Sequence, residues 1–251
     1  MCTIGGIHIS QDEYILFKNK DFTRSFYEDQ IISNRDIWGA EGLETFAEDP
    51  ATDDVYSGLS IGANKYGLFA ADAHVNITTN QANNYDILVQ IALEQGKDIE
   101  TAIPAVQRYA EQNESWWGNI VLVDASGTVA LEVRGKTLKI ERATSKVHRT
   151  NHQYLHGVHN GLENNDSNSY GRFEWAKNHL EDANNIIDLK KMLASHDKEL
   201  SNGTPTGICN HTYSQTVCSY LLHYKTGKTT LHHLNGFPCQ VSHYNEQQLF
   251  N

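Results

Sequence analysis

The stretch Met1-Cys2-Thr3-Ile4-Gly5-Gly6-Ile7 decides how the rest of the chain is interpreted. Removal of Met1 would leave Cys2 with a thiol and a free α-amino group on one residue. In model peptides the thiol has a pKa of about 8.5 and the α-amine of about 7.8, so the amine can accept the thiol proton near neutral pH. Cys2 is therefore a candidate nucleophile with its own base. The alternative is a buried structural thiol.

This stretch also begins a predicted hairpin. Residues 2–9 and 14–18 are β-rich and are separated by Ser10-Gln11-Asp12-Glu13, a longer hairpin loop. An antiparallel partner runs back alongside the first strand, so we expect Asp21 to lie near Cys2. A carboxylate there could hold the α-ammonium group in place. The alternative is a carboxylate in a surface turn.

The remaining pattern alternates hairpins with pairs of helices. Residues 23–57 are polar and predict an irregular loop, which is either a lid or pocket wall or a surface insertion. Pro104 is expected to distort the second helix or delay its start. The further predicted strands cover 58–62, 68–71, 119–124, 128–134, 137–140, 147–152, 207–211, 216–224 and 229–234. The predicted helices are Asp86–Gln95, Asp98–Gln112, Asn168–Ala183 and Asp188–His196. Hairpins joined locally favour an α+β fold, in which two packed antiparallel sheets are covered by helices within a single domain, 1–251.

Composition restricts the class of partner and the compartment. A net charge of −11 argues against nucleic acid, and the longest apolar runs are too short to span a membrane. The N-terminus lacks the pattern of a secretory signal, so we expect a cytoplasmic protein. Cys209, Cys218 and Cys239 are then predicted to be buried thiols rather than disulfides.

Histidine is abundant, with thirteen residues, and His148, His152, His156 and His159 follow a helix-like spacing. A metal site is one interpretation. Thr150-Asn151 and Gly157 disfavour a helix there, however, and no carboxylate completes a familiar ligand motif. A thiol with an adjacent amine also needs no metal. We therefore expect neither a catalytic metal nor a cofactor.

Taken together, the motifs resemble those of the N-terminal nucleophile hydrolases. More narrowly, they are similar to the cysteine branch with choloylglycine hydrolases, penicillin V acylases and acyl-coenzyme A:isopenicillin N acyltransferases. The motifs that carry the resemblance are Met-Cys-Thr at the start, Phe17-Lys18-Asn19-Lys20-Asp21-Phe22, Gly118 to Ala125 with Glu132-Val133, and Arg149-Thr150-Asn151-His152. The segments Ser169 to Arg172 and Gly236-Phe237-Pro238-Cys239 are also similar to the acyltransferase group.

The resemblance implies a four-layer αββα fold and attack on a linear amide by Cys2 after loss of Met1. It also implies an oxyanion hole that includes the Asn151 side chain. Lys18 stands where the family usually has an arginine, and His74 stands near the place of a second oxyanion residue. Arg172, in a segment that looks structural, is the candidate for the family's late arginine.

The substrate expected from this resemblance is a small acyl-amide or acyl thioester. Hydrolysis and acyl transfer differ only in the second nucleophile, and the sequence leaves that choice and the oligomeric state open, a homo-oligomer included. One alternative is a glutamine amidotransferase domain, which usually has glycine where this chain has Thr3. The other is an inactive binding protein of the same fold, or a relative of small cytoplasmic proteins with an Asn-Arg-Asp-Glu signature, which Asn19-Lys20-Asp21-Phe22 half-matches.

Overall fold

The computed structural model describes residues 2–23, 29–43, 56–75, 82–157, 167–199, 202–241 and 243–250. The strands are β1 (Cys2–Ser10), β2 (Glu13–Phe22), β3 (Ile31–Ser33), β4 (Ile37–Leu43), β5 (Tyr56–Asn64), β6 (Phe69–His74), β7 (Ser115–Asp124), β8 (Gly127–Gly135), β9 (Thr137–Ala143), β10 (Lys146–Arg149), β11 (Lys198–Glu199), β12 (Pro205–Thr206), β13 (Gln215–Lys225), β14 (Lys228–Asn235) and β15 (Asn245–Leu249). The helices are α1 (Asp86–Gln95), α2 (Ile99–Gln112), α3 (Ser167–Asp182) and α4 (Ile186–Leu193).

Two antiparallel sheets form the centre of the molecule. The first sheet has the order β10-β1-β2-β13-β14-β15, and the second has the order β3-β4-β5-β6-β7-β8-β9. In the first sheet β1 is an interior strand, since it pairs with β10 on one side and β2 on the other. Residues 4–7 therefore lie inside the sheet, with a paired strand on each side.

Three groups of buried apolar side chains hold four layers together. One group fills the space between the sheets and includes Leu16 of the first sheet and Val121 of the second. On the outer face of the second sheet, α1 and α2 cover residues such as Leu122. On the outer face of the first sheet, α3 and α4 cover residues such as Phe17 and Leu221. The predicted α+β fold with an αββα arrangement is confirmed.

Helix α2 begins directly after its N-cap residue, Asp98. The Asp98 side chain accepts a hydrogen bond from the Thr101 backbone N–H, and the Thr101 hydroxyl oxygen accepts one from the Asp98 N–H, which forms a capping box. Pro104 lies inside the helix. The expectation that Pro104 would delay the start of this helix was wrong, because the capping box starts it at Ile99.

Two other predictions differ from the structure. Within 23–57, β3 and β4 form part of the second sheet, since buried Trp38 and Ala40 give β4 an inward face, while 24–28 and 44–55 lie outside the described residues. Residues 207–211 form no strand, and Gly207 has a φ of 140° that breaks a regular ladder. Strand β15 was not predicted, because its sequence is almost entirely polar. In the described part of the chain, no helix is long and apolar enough to cross a membrane.

Candidate active site

Cys2 is held through its own backbone at the start of β1. Its N–H donates to Asn151 Oδ1 at 2.9 Å, and its carbonyl oxygen accepts from Arg172 Nη1 at 2.7 Å. Cys2 also pairs with Lys20 of β2, and 8% of its surface is exposed. The residue therefore has a fixed orientation and keeps a small accessible surface.

Arg172 connects Cys2 to Asn151 from its position on α3. Its fully buried guanidinium donates to Cys2 O as above, to Thr3 Oγ1 at 2.9 Å, to Asn151 Oδ1 at 2.7 Å and to Asn168 Oδ1 at 2.6 Å. A planar fork with several fixed donors suits such a junction, whereas a single ammonium does not. The segment that looked structural in the sequence thus carries a side chain in direct contact with Cys2.

Asn151 follows β10 and is oriented on three sides. Besides the bonds to its Oδ1, its Nδ2 donates to the His74 carbonyl oxygen at 2.6 Å, and its backbone N–H donates to Ser169 Oγ at 2.8 Å. An amide nitrogen carries two N–H groups. One of them is directed to His74, and the other is the candidate donor to an oxyanion.

Asp21 lies near the end of β2 and lines the same cavity as Cys2. It accepts a hydrogen bond from Thr216 Oγ1 at 2.7 Å. Burial raises the pKa of Asp21 to about 6, against the opposing effects of the Arg172 charge and the amino group of the chain terminus. At neutral pH the carboxyl is mostly ionised, so it can neutralise an ammonium group beside it.

Lys18 is buried on β2 and contacts the second sheet. Its Nζ donates to Ser60 O and Ser60 Oγ, both at 2.9 Å, to Asp72 O at 2.8 Å and to Asp72 Oδ1 at 2.9 Å. Burial acts to lower the pKa of Lys18, but the charges of Asp72 and Cys2 and the hydrogen bond to Asp72 together outweigh it, so the pKa lies above its ordinary value. Burial, and then the charge of Asp72, raise the pKa of Asp86 well above its usual range. We therefore assign the proton to Asp86 and the negative charge to Asp72, which faces Lys18.

A small polar cavity of about 30 Å³ lies beside Cys2, enough for about two water molecules. The described residues that line it are Cys2, Lys18, Lys20, Asp21, Phe22, Gly42, Ser60, Asp72, His74, Tyr85 and Asp86. Both signs of charge are present in this lining. The arrangement suits proton transfer and the binding of a polar carbonyl group next to the thiol.

His74 also lines this cavity, and its carbonyl oxygen accepts a hydrogen bond from Asn151 Nδ2. Burial, and then the positive charge of the chain terminus, lower the pKa of the imidazole to about 3. The ring is therefore neutral near pH 7. It can line an oxyanion site, but it cannot supply an imidazolium proton.

The sequence-predicted residues Cys2, Asp21, Lys18 and His74 share one cavity, and Asn151 and Arg172 hold the Cys2 backbone at its side. Sequence reasoning missed the polar residues that support them, namely Ser60, Asp72, Asp86, Ser169 and Thr216. Asp72 gave one signal, since it directly follows the apolar run Leu68-Phe69-Ala70-Ala71. Ser169 lies in the segment Ser169 to Arg172 that resembles the acyltransferase group. The other three gave no signal, because their partners are distant in sequence.

The histidines with helix-like spacing have separate protein partners. His148 contacts the Phe173 carbonyl oxygen, His152 contacts Ser169 Oγ and the ring of His156 contacts the Glu132 carbonyl oxygen. His159 lies outside the described residues. The three described rings do not converge on one point.

Comparison with known proteins gives a family and a fold. The model of the acyl-coenzyme A:6-aminopenicillanic acid acyl-transferase family matches residues 9–233. Among curated protein sequences, none matches this chain.

Three solved structures with similar folds each share 10% sequence identity with the chain. The C2A mutant of conjugated bile acid hydrolase from Clostridium perfringens has a TM-score of 0.62, covering 99% of this chain and 92% of its own. An N-acylethanolamine-hydrolyzing acid amidase ortholog from Caenorhabditis elegans has a TM-score of 0.56, with 88% and 92% covered. Penicillin V acylase from Agrobacterium tumefaciens has a TM-score of 0.52, with 99% and 86% covered. At this identity the likeness concerns the fold.

Proposed function

Because this chain belongs to the acyl-coenzyme A:6-aminopenicillanic acid acyl-transferase family, within the N-terminal nucleophile hydrolases, we propose that it cleaves or transfers the acyl group of a small linear amide or acyl thioester. The nucleophile is Cys2 after removal of Met1. Asp21 orients the new α-amine, and Asn151 stabilises the oxyanion. Arg172 is a positioning residue, and Lys18 and His74 shape the cavity.

One observation carries this proposal, which is that Cys2 is fixed through its backbone beside a polar cavity. Its nitrogen lies 2.9 Å from Asn151 Oδ1, and its carbonyl oxygen lies 2.7 Å from Arg172 Nη1. The same nitrogen would become the α-amine when Met1 is removed. Base, nucleophile and oxyanion donor would then lie within one small region, without any rearrangement of the sheet.

Acylation begins when the α-amine of Cys2 accepts the thiol proton. The thiolate sulfur attacks the carbonyl carbon, and the carbonyl π electrons move to oxygen, where an N–H of Asn151 Nδ2 stabilises the charge. A comparable oxyanion donor contributes about 3–4 kcal/mol. Collapse of this intermediate breaks the carbon–nitrogen bond, and the α-ammonium gives its proton to the leaving amine. For a thioester the leaving group is a thiolate, which takes the same proton.

Deacylation repeats these steps in reverse order. The α-amine takes a proton from water or from an acceptor amine, which attacks the thioester carbonyl and releases Cys2. Asp21, whose pKa is about 6, stays ionised at neutral pH and compensates each transient α-ammonium. Hydrolysis and acyl transfer use the same residues until the acyl-enzyme has formed. The molecule that then attacks the acyl-enzyme, water or an amine, decides between the two reactions.

The proposal is tested with Cys2→Ala and a matched control, Cys218→Ala, since Cys218 is fully buried and outside the cavity. We expect the wild type to lack Met1 in its intact mass and to form an acyl adduct on its N-terminal peptide with a panel of acyl-amides, glutamine and acyl thioesters. Cys2→Ala should fold, form no adduct and show no turnover, whereas Cys218→Ala should retain both. Turnover that persists in Cys2→Ala, or retention of Met1 in an active protein, would refute the mechanism.

We also propose that residues 1–251 form one domain and that the protein works in a reducing compartment, the cytoplasm. The four free thiols, Cys2, Cys209, Cys218 and Cys239, support that compartment. Limited proteolysis should leave a single protected core, and fractionation should recover the protein with the cytoplasm. Two independently stable fragments, or secretion, would contradict these two statements.

A further inference from the structure

Four metal-ligating side chains meet outside the cavity described above. They are His196, Cys209, His211 and Cys239, and their ligand atoms all lie within 4.8 Å of one another. Both cysteines are free thiols. None of the four has a role in the mechanism proposed for Cys2, so the cluster calls for a separate explanation. We name these four residues the histidine–cysteine cluster.

The cluster joins three parts of the chain that are distant in sequence. His196 follows α4, Cys209 and His211 precede β13, and Cys239 follows β14. Backbone bonds hold the first two parts together, since Asp197 N–H donates to Thr206 O and Cys209 N–H donates to Ser195 O, both at 3.0 Å. The scaffold thus supports these ligands through main-chain contacts.

Gly207 permits this close approach. Its φ is 140°, and a Cβ at this position would lie 2.9 Å from His196 Cα and 2.7 Å from Asp197 N. A side chain would force the two segments apart. The irregular backbone that replaces the predicted strand at 207–211 therefore brings Cys209 and His211 to His196.

Two distances within the cluster are close to those of a tetrahedral zinc site. His211 Nε2 lies 3.5 Å from Cys209 Sγ and 3.2 Å from Cys239 Sγ. Zinc bonds of about 2.3 Å to sulfur and 2.0–2.1 Å to nitrogen place tetrahedral donor atoms about 3.4–3.8 Å apart. The His196 Nε2 atom is buried, and no residue in the described ranges forms a hydrogen bond with it. This buried ring nitrogen, unpartnered among the described residues, is a second observation in favour of a ligand at the cluster.

The donor set also selects the metal. Two thiolates and two neutral imidazoles in a tetrahedral arrangement are typical of Zn²⁺, and their charge with the ion sums to zero, which limits the cost of burial. Mg²⁺ and Ca²⁺ prefer oxygen ligands, and the cluster provides only sulfur and nitrogen. A disulfide between Cys209 and Cys239 would leave the two histidines unexplained.

We propose that His196, Cys209, His211 and Cys239 bind one Zn²⁺ ion in a closed, structural site. Four protein ligands leave no coordination position for a substrate, so the ion cross-links the chain rather than taking part in catalysis.

The site would also stabilise the surroundings of Asp21, an effect that rests on the function proposed above. Asn210 lies between two of the ligands, and its N–H donates to Thr216 Oγ1 at 2.9 Å, which in turn donates to Asp21 Oδ1 at 2.7 Å. Asn19 Nδ2 on β2 donates to the Ile208 carbonyl oxygen at 2.8 Å. Fixing residues 209–211 would therefore keep the hydrogen bond to Asp21 in place.

The test measures metal content in tag-free, full-length protein purified without chelators. We expect elemental mass spectrometry to find one zinc ion per chain. We also expect Co²⁺ substitution to give the visible bands of a tetrahedral site together with a sulfur-to-cobalt charge-transfer band. Cys239→Ser is the preferred variant because Cys239 is exposed and its replacement spares the core, and Cys218→Ser controls for the loss of a thiol outside the cluster.

In Cys239→Ser we expect zinc affinity to fall by more than about 100-fold, since loss of an outer-sphere partner alone costs about 10–100-fold. Cys218→Ser should bind as the wild type does. Chelation should lower the melting temperature of the wild type and leave that of Cys239→Ser unchanged. A wild type that binds neither Zn²⁺ nor Co²⁺, equal affinity in Cys239→Ser, or a mass two hydrogens lower from a Cys209–Cys239 disulfide would overturn the proposal. Zinc content is measured independently of turnover, so an inactive protein that binds zinc would refute only the function proposed for Cys2.

Discussion

Replacing Arg172 with lysine or with methionine separates the geometry of this side chain from its charge. The guanidinium makes four hydrogen bonds, with oxygens of Cys2, Thr3, Asn151 and Asn168. A lysine ammonium reaches this position with one nitrogen and loses at least two of the four. Hydrogen bonds to charged groups contribute about 1.5–3 kcal/mol each, so Arg172→Lys should lower the unfolding free energy by about 3–6 kcal/mol.

The two variants should differ in their pH dependence. The positive charge of Arg172 lowers the pKa of Asp21, which burial raises to about 6. Arg172→Lys keeps that charge, so the acid limb of kcat/KM should stay near pH 6, while kcat falls because Cys2 is less well oriented. Arg172→Met removes the charge, so the acid limb should move to higher pH.

Urea unfolding gives the free energy, and the pH profile of kcat/KM on any substrate that acylates Cys2 gives the second measurement. Arg172→Lys with wild-type stability and turnover would show that the fork is unnecessary. An unmoved acid limb in Arg172→Met would show that Asp21 does not control it. Either result would refute the role assigned to Arg172.

Three further predictions concern buried groups. Asp21→Asn should leave the free energy of unfolding unchanged below about pH 4 and raise it by up to ~3 kcal/mol near neutral pH, as measured by urea unfolding across pH. The reason is that the wild-type carboxyl has a pKa of about 6 in the folded protein against an ordinary 3.8, so the wild type loses stability as pH rises through that range. A gain that is independent of pH would contradict this sign. Lys18→Met should cost about 3–5 kcal/mol of unfolding free energy, since it leaves the buried Asp72 carboxylate without its cation, and the double variant with Asp72→Asn should recover part of the loss. Gly6→Ala should lower the melting temperature and reduce the free energy of unfolding by about 1–3 kcal/mol, because the new Cβ would lie 2.2 Å from Val123 Cγ2 between the sheets. An unchanged melting temperature would show that the two sheets can move apart there without a loss of stability.

Local signals in the sequence were sufficient for most of the fold. Asp98 marks the start of α2 through a cap that its neighbours complete, and the alternating hairpins and helix pairs correctly predicted two antiparallel sheets. The polar strand β15 was missed because it lies at an edge of the sheet, where its side chains need not be apolar. Strand β4 was missed because its glycines and acidic residue hide a pattern that only pairing with β5 completes.

Within the candidate site, single-residue chemistry pointed to Cys2 and strand pairing to Asp21, while the family resemblance supplied the other candidates. Cys2 was accessible to such reasoning because a thiol and an amine on one residue suffice to suggest a mechanism. The contacts of Arg172 with Cys2 span 170 positions in sequence, and no local pattern specifies them. The histidine–cysteine cluster could not be predicted for the same reason, since its four ligands come from three separate segments that only the fold brings together.

The interior position of β1 ties the proposed nucleophile to the stability of the whole sheet. Chain ends usually fray, but residues 4–7 pair with both β2 and β10, so amide exchange near Cys2 should be as slow as in the centre of the sheet. Heating should therefore abolish turnover in the same transition that unfolds the sheet, with no earlier loss from a loosened terminus. A substitution in β10 or β13 that weakens strand pairing should consequently reduce activity even where its side chain never touches the cavity.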